Sequence, residues 1–412
     1  MVSETAPKAS PDLKTIRRRR LAVLVIGLLL IGVLGLVVAL SRGGGGGSKL
    51  NENGPAVATV IEPTPVKQRA PRHPFKPSPR AAALVRSLPL PRQVAQLFLV
   101  KLFGKTPRAV GTLGSTDWAG VVLDSSNFAN DRQVGRLARA ITSSATKTHN
   151  TSRLIAATQE GGPRTAFRDL PPKPEPVIGA SGRPALAGAQ ARQAGQRLRS
   201  LGLNMTLAPL ADVDSASGPL SGRLFSTDAS VVAQLTRAAV AGYAQVGMIS
   251  AIGHFPGAGG ASGDPDQTAA TVGGTLAELE GRDLIPFAAV SASAPVILMS
   301  NAAYVAFDGV TPAALLPRAV KLLRDSYGYQ GVVMSDDLDA TLQPTGDSAA
   351  AAAVQALNAG DDLLYISGSP AEQLQAYDGV LNAARKSAAT RARVRDALLR
   401  VLTLKVRYGI VR

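Results

Sequence analysis

Eight short apolar runs, at residues 97–102, 120–123, 154–157, 205–208, 248–252, 296–299, 331–334 and 363–366, constrain this chain more than any other feature. Polar turns and segments of helical period, such as 183–201, 228–246 and 317–327, separate them. Runs of four to six residues fit buried strands and are too short for ordinary helices. Strands that alternate with helices pair in parallel, because each helix carries the chain back to where the next strand must begin. Eight such units in residues 85–412 predict an α/β fold, a (β/α)8 TIM-like barrel. A doubly wound open sheet meets the same periodicity, but no glycine-rich phosphate fingerprint follows the first run.

Upstream lies a different chemistry. Residues 21–40 are uncharged and apolar, and at 1.5 Å per residue they reach about 30 Å, the thickness of a bilayer core. Arg17, Arg18, Arg19 and Arg20 precede the run, while Arg42 stands alone just after it. The positive-inside rule then gives a single-pass protein of the cell membrane, with residues 1–20 as a cytoplasmic tail and the barrel extracytoplasmic. A cleaved secretory signal is the alternative, but its apolar region is shorter and ends in a small-x-small site, which Ala39-Leu40-Ser41 matches poorly. Residues 41–84, rich in glycine and then in proline, read as a linker.

Charge and composition narrow the functions. The formal charge is +16, and more than half of that excess lies in residues 1–80, which suits an anionic membrane surface or wall polymer as partner. No basic motif interleaved with aromatics argues for nucleic acid. With no cysteine, disulfides, thiol nucleophiles and thiolate zinc sites are excluded. Three histidines, His73, His149 and His254, are too few and too scattered for a multi-histidine metal site, and nothing calls for a cofactor.

The chemistry-bearing residues follow the apolar runs. Thr158, Gln159 and Glu160 follow the third, Asp212 and Asp214 the fourth, His254 the fifth, Asn301 the sixth, and Ser335, Asp336 and Asp337 the seventh. In a barrel all would ring the carboxyl-terminal mouth, where such enzymes keep their active sites. His254 lacks a G-x-S-x-G elbow, so a serine hydrolase is disfavoured, and a neutral hydrogen-bonding role suits it as well as proton transfer. A carboxylate at a barrel mouth serves either as a nucleophile toward an anomeric carbon or as a helix cap, and the pair Asp336-Asp337 allows both.

These segments resemble the family 3 glycoside hydrolases, specifically the bacterial β-N-acetylhexosaminidases that act on peptidoglycan-derived amino sugars, over residues 90–412. Gln159-Glu160-Gly161-Gly162 is similar to the family's D-Q-E-G-G. Ala208-Pro209-Leu210-Ala211-Asp212-Val213-Asp214 resembles A-P-x-x-D-x-D, and Gly222-Arg223-Leu224-Phe225 the substrate-holding arginine motif. His254-Phe255-Pro256-Gly257 resembles K-H-F-P-G, and residues 333–338 the nucleophile segment. The resemblance implies a retaining glycosidase with Asp336 as nucleophile, Arg223 and His254 on the sugar, and Glu160 and Thr158 in the binding site. It also implies an amino sugar or peptidoglycan fragment as ligand.

Departures from the family pattern fall close to the sugar. Thr158 stands where the family carries an aspartate, and Gly253 where it carries a lysine. The family's D-S-H, whose histidine is the general acid/base, becomes Asp266-Gln267-Thr268. Asp264 and Asp266 are the candidate substitutes, on a loop with glycines at 257, 259, 260 and 263. Two functions therefore compete: a membrane-anchored glycosidase, and a catalytically impaired relative that binds wall glycan or a protein partner. Trp118 is the only tryptophan, which favours a small terminal sugar over a long glycan.

Overall fold

The computed structural model describes residues 75–215 and 217–411. The tail, the apolar run 21–40 and the linker as far as residue 74 lie outside the described residues. Among those described, no helix is long and apolar enough to cross a membrane.

All eight apolar runs become parallel strands of one closed barrel: β1 (Phe98–Lys101), β2 (Gly120–Leu123), β3 (Leu154–Ala157), β4 (Met205–Thr206), β5 (Ile249–Phe255), β6 (Val296–Met299), β7 (Val332–Asp337) and β8 (Leu363–Ile366). Each strand pairs with its neighbours in sequence, and β8 closes on β1 through Val100 opposite Ile366. Alternation along the strands sorts their side chains. Leu99, Val122, Ala156, Met205, Ala251, Leu298 and Met334 fill the barrel interior, while Phe98, Val100, Val121, Leu123 and Ile155 pack outward under the helices. The open doubly wound sheet is thereby excluded.

Helices Pro184–Ser200 and Ala229–Gln245 fall within the periodic segments expected, the second capped by Asp228, whose carboxylate accepts the N–H groups of Ser230 and Val231. The part of the expected linker that is described behaves differently. Residues Pro79–Ser87 form a helix packed on the last helix, Ala388–Arg407, with Ala81 fully buried. Upstream of it, the ring of Phe75 lies 4.4 Å from the Arg400 guanidinium. The folded region thus begins by residue 75 and not at 85, because Ala81, Leu84 and Val85 bury apolar surface there.

Two strands run further than their apolar stretches. β5 continues through His254 and β7 through Asp337, each with a shift of register near its end. Past β3, Gln159–Gly161 folds back antiparallel on Arg164–Thr165 as a small hairpin. Its Gly161 and Gly162 adopt φ of +87° and +70°, and a Cβ on Gly161 would stand 2.6 Å from the Lys173 carbonyl oxygen.

Candidate active site

At the carboxyl-terminal mouth the strand ends enclose a cavity of about 320 Å³. Thr158, Glu160, Arg223, His254, Asp266 and Asp336 line it together, as does Asp337. Asp264 does not. Its carboxylate takes hydrogen bonds from Gln267 Nε2 (2.6 Å), Arg164 Nη2 (3.3 Å) and the Asp266 N–H (3.1 Å), which hold it below the usual range against the opposing effect of burial. Thr268 is exposed, outside the cavity, with its hydroxyl turned back to the Asp264 carbonyl.

Asp336 stands near the end of β7, 7% exposed. Its Oδ1 accepts the Asp337 N–H at 2.8 Å, and its Oδ2 has no hydrogen-bond partner among the described residues. The nearest cation to Oδ2 is His254, whose Nε2 is 3.8 Å away. Burial, joined by repulsion from Asp266 and opposed by His254, pushes the Asp336 carboxyl up to about 7. Asp337 is spent on the backbone: its Oδ1 accepts the N–H groups of Ser367 (2.9 Å) and Asp339 (3.1 Å), tying β7 to the exit of β8.

His254 owes its charge to the strand beside it. Asp212, fully buried after β4, accepts from His254 Nδ1 at 2.8 Å, from the His254 N–H at 3.1 Å and from the Ala258 N–H at 2.6 Å. Burial pulls the imidazole down, but the Asp212 carboxylate outweighs it and raises His254 to about 10. That shift favours the imidazolium, whose Nε2 lies 3.8 Å from Asp336 Oδ2. The A-P-x-x-D-x-D segment thus supplies a buried carboxylate to the far nitrogen of His254, which favours its charged form over the neutral one.

Arg223 and Glu160 form a fork, Nε to Oε2 at 3.0 Å and Nη2 to Oε1 at 2.9 Å, with both side chains nearly buried. Burial pushes Glu160 up, and Arg223 opposes it. The third guanidinium nitrogen, Nη1, has no hydrogen-bond partner among the described residues and lies 3.8 Å from Asp266. Asp266 is paired at 2.9 Å with Arg164 of the hairpin. Among the cavity-lining residues, Arg223 Nη1, Asp336 Oδ2 and the Thr165 hydroxyl are buried atoms with no hydrogen-bond partner among the described residues.

Of the other residues after the strands, Asp214 accepts from Ser221, Asn301 donates to the Asp337 carbonyl, and Ser335 accepts the Tyr365 N–H. They support the mouth from outside the cavity. Trp118 is 2% exposed, donating to the Leu113 carbonyl, and does not line the cavity. Lys101, Asp124, Arg164, Tyr365 and Ser367 do line it, and sequence reasoning passed over all five. Each is a single residue without a motif, although Asp124 and Ser367 each follow a predicted strand and Lys101 and Tyr365 lie within one. Among the described residues no group of three or more His, Asp or Glu is placed to hold a metal ion.

Known proteins resemble this chain in sequence and in fold. The family model Glycosyl hydrolase family 3 N terminal domain matches residues 90–404. A β-hexosaminidase of Stenotrophomonas maltophilia (strain K279a) is 34% identical over 273 residues, 62% of this chain and 79% of the relative. Among solved structures, a β-N-acetylhexosaminidase from Beutenbergia cavernae superposes with a TM-score of 0.71 at 30% identity, covering 78% of this chain and 99% of that one. A family 3 β-N-acetylglucosaminidase from Paenibacillus sp. str. FPU-7 gives 0.74 at 29% identity, and there the match covers 79% of this chain but only 63% of the other.

Proposed function

Given that the chain belongs to glycosyl hydrolase family 3, we propose that it hydrolyses a terminal β-linked N-acetylhexosamine with retention, Asp336 acting as nucleophile. One observation carries the reading: Asp336 presents to the cavity a buried Oδ2 with no hydrogen-bond partner among the described residues, and His254 Nε2 lies 3.8 Å from it. That oxygen attacks the anomeric carbon while the glycosidic C–O bond breaks, and water later hydrolyses the glycosyl ester. His254 holds positive charge where Asp336 must ionise, and the free Arg223 Nη1 is a donor for the sugar. The leaving oxygen needs a proton. Of the two loop aspartates only Asp266 lines the cavity, so Asp266 is the candidate donor and Asp264 is dropped. Arg164 must release Asp266 for that task, which makes substrates with good leaving groups the faster ones.

The test is mass spectrometry of the protein after brief reaction with an activated, fluorinated aryl N-acetylhexosaminide. A glycosyl adduct on the peptide bearing Asp336 is expected. An adduct elsewhere, or turnover surviving Asp336→Asn, overturns the assignment. A second reading, sugar binding without turnover, is favoured by the exposed Thr268 and by the Arg164–Asp266 pair. It requires tight binding of N-acetylglucosamine by a chain silent toward the aryl substrate.

The remaining parts of the proposal come from the sequence. The run at 21–40 anchors the barrel outside the cell membrane, where cell-wall amino sugars are the accessible substrates. Protease digestion of intact cells tests this: the barrel is shaved from the surface if it is extracytoplasmic, and survives if it is not.

A further inference from the structure

The mouth contains a further charged pair that the reaction above does not use. Lys101, the last residue of β1, and Asp124, the residue after β2, form an ion pair at 2.8 Å, and both line the cavity with Asp336. Their side chains remain 26% and 35% exposed. An ion pair so open to solvent does little for stability, because water competes for both partners. Its place in the cavity needs another reason.

The barrel register supplies one. Leu123 pairs with Ala157, so Asp124 and Thr158 stand at the same level on neighbouring strand ends. Thr158 brings no charge to the mouth, and neither does Gly253 on β5. Lys101 and Asp124 bring one of each sign, from the ends of β1 and β2. The pair is also held in place. Asp124 Oδ1 accepts the N–H and hydroxyl of Ser126, leaving Oδ2 to Lys101. Fully buried Asn127 accepts the Asp124 N–H (3.0 Å) and donates to the carbonyls of Leu102 and Gly104 (both 2.8 Å), clamping the exits of β1 and β2 together. Burial would raise the Asp124 carboxyl, but the bonds from Lys101 and Ser126 outweigh it and hold it below the usual range, so it stays an acceptor.

We infer that Lys101 and Asp124 form a recognition pair for ring hydroxyls of the bound sugar, and that they determine specificity within the proposed active site. Neighbouring sugar hydroxyls each donate one hydrogen bond and accept others, which a carboxylate and an ammonium 2.8 Å apart can meet from one side. A rigid acceptor beside a flexible cation suits that geometry, since little order is lost on binding.

This inference rests on the amino-sugar reading of the cavity, and direct binding separates the two. Calorimetry on the full-length chain would compare N-acetylglucosamine with its 3-, 4- and 6-deoxy analogues, for the unmodified protein, Asp124→Asn and Lys101→Met. The expected result is that the unmodified protein binds at least one deoxy sugar about tenfold to a hundredfold more weakly than the parent. The variants should lose a similar factor for the parent and no longer distinguish that analogue. Both substitutions nearly preserve side-chain length, and the amide oxygen introduced by Asp124→Asn would still accept from Ser126. A shared fold defect would instead weaken all the sugars alike and leave discrimination intact. Variants that bind and discriminate as the unmodified protein does, or that lose affinity without losing discrimination, overturn the inference while leaving the amino-sugar reading standing. An unmodified chain that binds none of the four sugars overturns both.

Discussion

The two ends of this barrel both bury charge, yet they leave it in different states. At the base, Asp362 is fully buried, with Oδ2 accepting from Arg324 Nη2 (2.7 Å) and the Val333 N–H (3.0 Å) and Oδ1 accepting from Arg393 Nη2 (2.7 Å). Lys405 is likewise enclosed, donating to Gln96 Oε1 at 2.6 Å and the Ser152 carbonyl at 3.1 Å. At the mouth, Asp336 and Arg223 are almost as buried but each keeps an atom without a hydrogen-bond partner among the described residues, and both face the cavity. Burial of charge therefore does not mark function here. Even an unpartnered carboxylate does not suffice: Asp361, beside Asp362, has two such oxygens, but burial pushes it well up toward the neutral acid and it lines no cavity described above. What sets the mouth apart is unspent bonding capacity that opens on a space a ligand can fill.

The contrast is most exposed to failure at Asp336. Replacing it by Asn should cut release of nitrophenol from the aryl N-acetyl-β-glucosaminide by roughly 10⁴–10⁶, the scale of losing a group that acts as part of a catalytic unit. Its thermal midpoint should hold or rise, because a desolvated acid is removed. If the rate held and the midpoint fell, the mouth would be behaving like the base.

The mirror experiment is Asp362→Asn. Breaking a buried ion network from one side strands its arginines, at a cost of about 3–5 kcal/mol in urea denaturation. Turnover per folded molecule should not change. A smaller effect is expected from pH. Asp336 must be ionised to attack, so kcat/KM toward an activated substrate should climb about tenfold per pH unit below about 7 and level off above it. His254, raised to about 10, stays charged across that window. A profile flat from pH 5 to 8 would break the assignment.

The smallest effect belongs to Lys405. Burial lowers it from 10.5 to about 7, so between those values the unfolded chain binds a proton that the folded chain does not. Stability should therefore rise with pH across that range and fall away as pH drops toward 7. Lys405→Met should flatten this slope without altering the pH profile of turnover, and denaturation curves at several pH values would show it.

Much of this was legible in the residues. β2, β3, β6 and β8 coincide with their apolar runs because a strand buried on both faces is a continuous apolar run. Asp336, Arg223, His254 and Glu160 were legible because each sits in a motif of fixed spacing. The reach of β5 and β7 was not, since His254 and Asp336 interrupt apolar character while the backbone stays extended. Nor was the helix at Pro79–Ser87, whose proline-rich approach reads as a tether until the last helix is there to cover it.

By itself, the sequence determined the parallel barrel, the strands that carry the chemistry and the family to which the chain belongs, since apolar period and local motifs are properties of neighbouring residues. Tertiary structure decided which of two loop aspartates enters the cavity, that Asp212 holds the far nitrogen of His254, and that Lys101 meets Asp124 across two strand ends. Those outcomes depend on barrel register and on the burial it imposes. Both are set by contacts between residues far apart in the chain, which no local pattern encodes.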